Sequence, residues 1–449
     1  MSSTEIILIL IGSIVLLLVM ILKFKIHAFL ALLVTSVFLG FVTGMQMDSI
    51  LKSVADGMGS TLGFVATVVG IGAIFGQIIE SSGGAESLAH YLLKKFGSEN
   101  APYALTITGF IVAIPVFFDV GFIILVPIIY ALAKDKKKSL LYFAIPLLAG
   151  LAATHAFVPP TPGPVATSEI IGANLGWVTI LGLIIGVPVA IIAGPMFGKY
   201  IGNRIYVESP QQFEMQERKD LPSFWSVAAI IAVPLILILA NTVSGVIAKE
   251  YGISDNFTVK LLSFTGHPFI ALLIATFLAI YFMGIKRGFT KETVLKLSTK
   301  SLAPAGLIIL VTGAGGVFKQ LLIDSGIGIQ LAETMSNSAL PPIVLAYLLA
   351  VLIRVSQGSA TVAMITSAGI VSPLLAALAL SEPHKALIVI SIAAGATTAS
   401  HVNDSGFWLI GKYLGMTEKQ TLQSWTVMET IISVTGFSMA LLLSFFFRS

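Results

Sequence analysis

Thr154-His155-Ala156-Phe157-Val158-Pro159-Pro160-Thr161-Pro162-Gly163-Pro164 interrupts a run of apolar residues long enough to cross a bilayer, and its reading decides the fold. Four prolines and a glycine fall within residues 159–164. Proline lacks the amide donor and clashes with the preceding turn, so no continuous helix passes through. In lipid a break of this kind is tolerated only where protein or a water-lined cavity covers it, because each freed backbone group needs a partner. The stretch therefore predicts a broken helix over residues 139–173, its second half beginning near Val165 with its positive end turned inward. Thr154, His155 and Thr161 are candidate ligands there. A kink filled by its own side chains is the competing reading, and His155 fits either.

Outward from this break the chain is overwhelmingly apolar. Of 449 residues 56% are hydrophobic and 11% charged, under half the charged fraction of about 25% found in soluble domains. The apolar runs are too long for several soluble domains and read as one lipid-facing body. The absence of cysteine excludes disulfides, thiolate metal sites and a cysteine nucleophile. Six histidines show no metal-ligand spacing, so neither metal nor cofactor is expected. The net charge of +4 arises in short loops between apolar runs, where basic residues set topology, so nucleic acid is not expected as a partner.

Runs able to span about 30 Å begin at Ile6 and near His27, Thr61, Ser139, Leu175, Trp225, His267, Leu302, Lys385 and Gln423, which predicts ten crossings. The first run lacks the basic start and small-residue cleavage site of a secretory signal and is expected to remain. Alternating the connections puts 19 of the 26 Lys and Arg on one side, which is then cytoplasmic, with both termini opposite. Residues 101–133 are apolar but flanked by basic clusters on both sides. Two full crossings scarcely fit in that length, so a re-entrant hairpin is expected, its tip at Pro115 to Gly121 buried in protein. Residues 341–381 give the matching hairpin, with its tip near Arg354 to Ser359.

The two hairpins predict a duplication. Comparing residue n with n+243 aligns Gly63/Gly306, Val68/Val311, Gly70/Gly313, Gly72/Gly315, Phe75/Phe318, Gln77/Gln320 and four further pairs up to Ala89/Ala332, ten identities in 27 positions. Each unit, residues 1–202 and 225–449, then holds about five crossings, one hairpin and one broken helix, 139–173 in the first and 385–415 in the second. An odd number of crossings makes the second unit upside down relative to the first, the inverted repeat typical of transporters. The polar residues 203–224 form the cytoplasmic linker. The expected fold is an all-α polytopic membrane protein of two inverted repeats.

An ionisable group in the bilayer costs roughly 2.5 kcal/mol or more on insertion scales, so each one needs a purpose or a partner. The first tip, Phe117-Phe118-Asp119-Val120-Gly121, places a carboxylate beside exposed amides, where Asp119 can bind a proton, orient substrate hydroxyls or simply cap the helix. The second tip holds Arg354, Ser356, Gln357, Gly358, Ser359 and Thr361, and the second broken helix holds His401, Asn403, Asp404 and Ser405. Brought together near mid-membrane, these groups suit a small hydroxylated organic anion: helix dipoles and Arg354 for its carboxylate, hydroxyl, amide and Asp side chains for its hydroxyls. Arg354 can instead pair with an acidic side chain, as buried charges usually do. Glu169 and Glu429 are placed nearer the outer and inner surfaces and are not counted as ligands. Glycine-rich stretches such as 313–316 read as packing surfaces, not nucleotide fingerprints.

At FFDVGF (117–122), PPTPGP (159–164), RVSQGSATVA (354–363) and SHVNDSGFW (400–408) the sequence resembles the gluconate permease family, gluconate:proton symporters of the ion transporter superfamily, over nearly its whole length. The resemblance implies secondary active import of gluconate or a related sugar acid with protons, by an elevator-type movement of the hairpins and broken helices. It also implies a homodimer and a multi-pass protein of a bacterial cytoplasmic (inner) membrane. Many gluconate members carry Glu at the position of Asp119 and His at that of Thr161. The Asp119 form, with SQGSATVA and VTGAGGVF (311–318), is similar to the branch containing D-serine permeases.

For the proton, Asp119, Asp404, His155 and His401 are the well-placed groups, Asp119 first. Sodium coupling is the alternative, since carbonyls at broken helices with a nearby Asp can hold a cation. An intramembrane hydrolase is disfavoured because no Gly-x-Ser-x-Gly or paired-Asp protease motif occurs. An ATP-driven pump is excluded by the lack of a phosphate-binding Gly-x-x-x-x-Gly-Lys-Ser/Thr loop.

Overall fold

The computed structural model describes residues 3–97, 99–209, 220–253, 255–326, 341–375, 378, 380–402 and 404–447. Among them there is no strand. The first half contains α1 (Ser3–Leu22), α2 (Ala28–Val42), α3 (Met47–Ser81), α4 (Gly84–Phe96), α5 (Ala101–Val112), α6 (Phe118–Lys136), α7 (Leu141–Phe157), α8 (Pro162–Ile171) and α9 (Leu175–Gly202). The second contains α10 (Phe224–Tyr251), α11 (Phe257–Thr265), α12 (Pro268–Arg287), α13 (Lys291–Asp324), α14 (Pro342–Gln357), α15 (Ala360–Leu375), α16 (Glu382–Thr397), α17 (Ser405–Tyr413) and α18 (Glu418–Ser444). Helix α9 has a π turn at Ile192–Met196, and α18 has one at Leu422–Thr426.

Among the described residues seven stretches are long and apolar enough to cross a membrane: α3, α7 with α8, α9, α10, α12, α13 and α18. The remaining three expected crossings correspond to α1, α2 and α16, of which α2 and α16 have only 15 and 16 residues, about 23 Å of helix. Helix α3 is longer than the apolar run predicts. It starts at Met47, well before Thr61, and its 35 residues extend about 52 Å. Asp48, Lys52 and Asp56 lie on its exposed face while Ile50, Ser53 and Gly57 are buried. This spacing is that of one helical stripe.

The most extensive helix contact joins α3 to α13. Gly57 near the start of α3 meets Gly316 near the end of α13, and Gly70 further along α3 faces Leu302 near the start of α13, so the two run antiparallel. A Cβ on Gly316 would lie 2.6 Å from the Gly57 carbonyl oxygen. Small residues thus let the backbones touch, as expected for the 313–316 stretch. Ser53 Oγ donates to Asp324 Oδ2 at 2.6 Å across the same pair.

The broken helix α7–α8 is the most enclosed of the long apolar stretches. In its apolar window 94% of residues are buried, against 33% for α10 and α18. Its break is covered by protein, which answers the backbone requirement set by the prolines. Gly182 of α9 approaches the Phe157 carbonyl so closely that a Cβ there would lie 2.2 Å from the oxygen. The turn between α5 and α6 is held in a similar way: a Cβ on Gly76 of α3 would lie 2.0 Å from the Pro115 carbonyl oxygen. The far end of α8 is fixed by two donors, Lys319 Nζ of α13 and Ser372 Oγ of α15, both 2.6 Å from the Ile170 carbonyl oxygen.

The predicted hairpins are pairs of short helices. Helix α5 has 12 residues, and α14 and α15 have 16 each. Helices α14 and α15 pack on each other, whereas α5 leans chiefly on α7, where a Cβ on Gly150 would lie 2.2 Å from the Thr106 carbonyl oxygen. Gly358, with φ of +85°, reverses the chain between α14 and α15, a conformation that costs glycine little. In the linker, residues 205–207 are pinned to the start of α7: Leu140 N donates to the Val207 carbonyl at 2.9 Å and Ser139 Oγ to that of Ile205 at 2.7 Å. Residues 210–219 of the predicted linker lie outside the described residues.

Candidate functional site

Both tips and both broken helices meet at one cavity of about 600 Å³. Four helices begin at its wall, since Phe118 of α6, Gly163 of α8, Ala360 of α15 and Ser405 of α17 all line it. The first turns of these helices differ in what they offer. Pro162 and Pro164 leave α8 with few amide donors. Helix α6 starts at Phe118 with no side-chain cap, so its first-turn amides face the region of Asp119. Ser359 lies against the start of α15, its Oγ accepting from Val362 N at 3.4 Å. Asp404 caps α17, its Oδ1 accepting from Gly406 N at 3.0 Å.

The strongest electrostatic contact in the wall is the ion pair between Arg354 Nη2 and Asp404 Oδ2 at 2.6 Å, with side-chain exposures of 2% and 12%. Arg354 therefore pairs with an acid, one of the two roles its sequence position allowed. The same carboxylate oxygen accepts from Ser400 Oγ, which in turn accepts from Trp425 Nε1 at 2.7 Å. Asp404 is thus held by a cation, a hydroxyl and a backbone amide together. Arg354 is not used up by this pairing. Its Nε and Nη1 are buried without a hydrogen-bond partner among the described residues, as are His155 Nδ1, Gln357 Nε2 and Glu429 Oε1 around the same cavity. Asp119 is open to the cavity.

Of the residues singled out in the sequence, Asp119, His155, Arg354, Gln357, Gly358, Ser359, Thr361, Asp404 and Ser405 line the cavity. Thr154, Thr161, Ser356, Gly121 and His401 are not among its lining residues. Thr154 Oγ1 donates to the Phe110 carbonyl at 2.9 Å, Thr161 Oγ1 to Val158 at 2.7 Å and Ser356 Oγ to Leu352 at 2.6 Å, so each hydroxyl satisfies backbone instead. Asn403 lies outside the described residues. The sequence missed Trp425, Thr397 and above all Glu429, which lines the cavity rather than standing apart near the inner surface. An acid inside the last apolar run was the available signal.

The GntP family permease model matches residues 4–446. Over 438 residues the chain is 39% identical to the low-affinity gluconate transporter of Escherichia coli (strain K12), covering 97% of each protein. It is 41% identical over 434 residues to a gluconate permease of Pseudomonas aeruginosa, covering 95% of each. The Gnt-II system L-idonate transporter of Escherichia coli (strain K12) is 37% identical over 429 residues, with 95% of this chain and 96% of that one covered. Among solved structures, the YdaH transporter of Alcanivorax borkumensis superposes with a TM-score of 0.60 at 14% identity over 89% of both chains. MtrF of Neisseria gonorrhoeae superposes at 0.62 and 13% identity over 90% of this chain and 86% of that one. The likeness to these two is one of fold. With a family match over nearly its full length and relatives named as permeases, this multi-pass membrane protein belongs to the GntP family, and it is a transporter, not an enzyme.

Proposed function

We propose that this protein imports gluconate or a closely related sugar acid by proton symport. The carrying observation is the cavity where four helices begin and where Arg354, already paired with Asp404, keeps Nε and Nη1 free. A guanidinium with N–H groups unused can donate a charge-assisted hydrogen bond to a carboxylate, and the helix starts add positive potential. Asp119, Ser359, Thr361, Ser405 and Gln357 supply acceptors and donors for a chain of hydroxyls. The cavity volume falls within the range of about 300–1,000 Å³ usual for small-molecule sites. Relatives named for gluconate and L-idonate transport support a hexonate over other anions.

The movement we propose is of elevator type, with the hairpins 101–133 and 341–381 and the broken helices 139–173 and 385–415 carrying substrate past the remaining helices. Two inverted units, residues 1–202 and 225–449, underlie it. The antiparallel course of α3 and α13, which match at the 243-residue offset, supports that inversion. The final helices keep the same offset: α8 and α17 start at 162 and 405, and α9 and α18 at 175 and 418. The protein works in a bacterial cytoplasmic (inner) membrane, with both termini outside, as a homodimer.

The test is uptake into liposomes containing purified protein, with a pH gradient and a sodium gradient imposed separately. Labelled gluconate accumulates under the acid-outside gradient and not under sodium alone. Accumulation only with sodium overturns proton coupling. A thermal shift with D-serine but with neither gluconate nor fructuronate overturns the sugar-acid assignment.

A further inference from the structure

Glu429 has no part in the site as read from sequence, yet it is the most unusual group in the cavity wall. It is 4% exposed, and its Oε1 has no hydrogen-bond partner among the described residues. The charged groups acting on it are Arg354 of α14 and Asp404 at the start of α17. Across the cavity stand Asp119 of α6 and His155 of α7. Helices α9 and α16 pack on α18 but bring no charge to this point. Lys199 stands near the C-terminal end of α9, and Glu382, His384 and Lys385 stand in the first turn of α16, at the opposite end from Thr397, which lines the cavity. Lys412 of α17 lies in the last turn, away from the cavity-lining Ser405.

One guanidinium therefore faces more than one carboxylate. Asp404 holds Nη2 and is itself held by Ser400 and Gly406, so it is not free to leave. The unused Nε and Nη1 lie on different edges of the guanidinium, so each can donate singly, but the one positive charge already faces Asp404. A carboxyl group buried without a donor costs far less to hold neutral than ionised.

We propose that Glu429 carries the symported proton and that it competes with the substrate carboxylate for the positive charge of Arg354. This rests on the symport reading above. With substrate bound, its carboxylate accepts from an unused N–H of Arg354 and Glu429 is the neutral acid. On the inner side the substrate leaves, the Glu429 O–H bond breaks, the proton passes to water, and the resulting carboxylate takes the place of the substrate as partner of the Arg354 charge. After return to the outer side a proton from water rejoins a Glu429 oxygen, Arg354 is released, and the next anion binds. Anion and proton are loaded together because one guanidinium, already paired with Asp404, cannot balance two further carboxylates. Asp119, open to the cavity, is left to hold hydroxyls.

The experiment compares wild type, Glu429→Gln, Glu429→Asp and Asp119→Asn in liposomes. Gluconate accumulation under an acid-outside gradient is expected to be lost in Glu429→Gln. Its gluconate exchange between two loaded faces is expected to lose the pH dependence of wild type and to stay at the level wild type reaches in acid. In weakly buffered solution, gluconate addition to purified wild type should take up protons, read with an indicator dye, and addition to Glu429→Gln should not. Glu429→Asp, which keeps a titratable carboxyl, should restore both responses in part, separating a proton role from a purely structural one. Accumulation by Glu429→Gln at wild-type level, or loss of proton uptake in Asp119→Asn with retention in Glu429→Gln, overturns the assignment. If wild type itself fails to accumulate gluconate with a pH gradient, the symport reading falls instead.

Discussion

Arg354 is paired with Asp404 from a buried position and lines the cavity, and both facts set what its replacement does. In Arg354→Gln the Asp404 carboxylate keeps its hydroxyl and amide but loses its cation, and breaking a buried pair from one side costs about 3–5 kcal/mol. Melting of the purified variant should therefore drop, and uptake should vanish. Adding Asp404→Asn removes the stranded charge. The double variant should recover much of the lost melting temperature but no uptake, so stability and transport separate. The sequence brought Arg354 and Asp404 to one place because both sit where a helix is interrupted. It could not say which hydroxyls stay free. Ser356, like most serines within helices, bonds back to the carbonyl four residues earlier, Thr161 turns to Val158, and neither lines the cavity. Glu429 was missed for a related reason. Position along an apolar run gives depth, but the side of the helix that faces the cavity depends on how α18 packs on α16 and α9.

At the scale of elements, breaks are legible and lengths are not. Four prolines and a glycine mark the break after Phe157 without ambiguity, whereas the start of α3 is hidden because Asp48, Lys52 and Asp56 dilute its hydropathy while leaving one face apolar. The turn between α5 and α6 depends on a contact no sequence pattern announces, the Pro115 carbonyl seated against Gly76. A methyl at Gly76 would have to share space with that oxygen, so α3 or the tip must shift. Overpacking of this kind costs about 1–3 kcal/mol. Gly76→Ala should lower the melting temperature and weaken gluconate binding, since the displaced segment carries Phe117 and Asp119. Gly63→Ala, further back on α3, meets open space and should leave both unchanged. Equal effects of the two substitutions would show that the tip is not held by this contact.

For the molecule as a whole, the long antiparallel α3 and α13 supply an internal frame, and the first broken helix, α7–α8, is enclosed by protein. The all-helical, lipid-spanning class was readable from composition and run length, and the meeting of two tips and two breaks from the positions of prolines and polar groups that the membrane would not otherwise tolerate. Crossing number was less readable, because runs such as α2 and α16 are apolar but short. The cavity's wall also has an electrical consequence. Among the described residues Arg354 is its one lysine or arginine. If an incoming anion displaces a carboxylate that has just been neutralised, the laden carrier and the bare one bear the same total charge. A voltage acts on moving charge, at about 2.3 kcal/mol per elementary charge per 100 mV. With nothing net to pull on, a potassium diffusion potential imposed in liposomes of matched pH should leave gluconate distribution where it started, and the cell's interior negativity would neither help nor hinder the uptake of this anion.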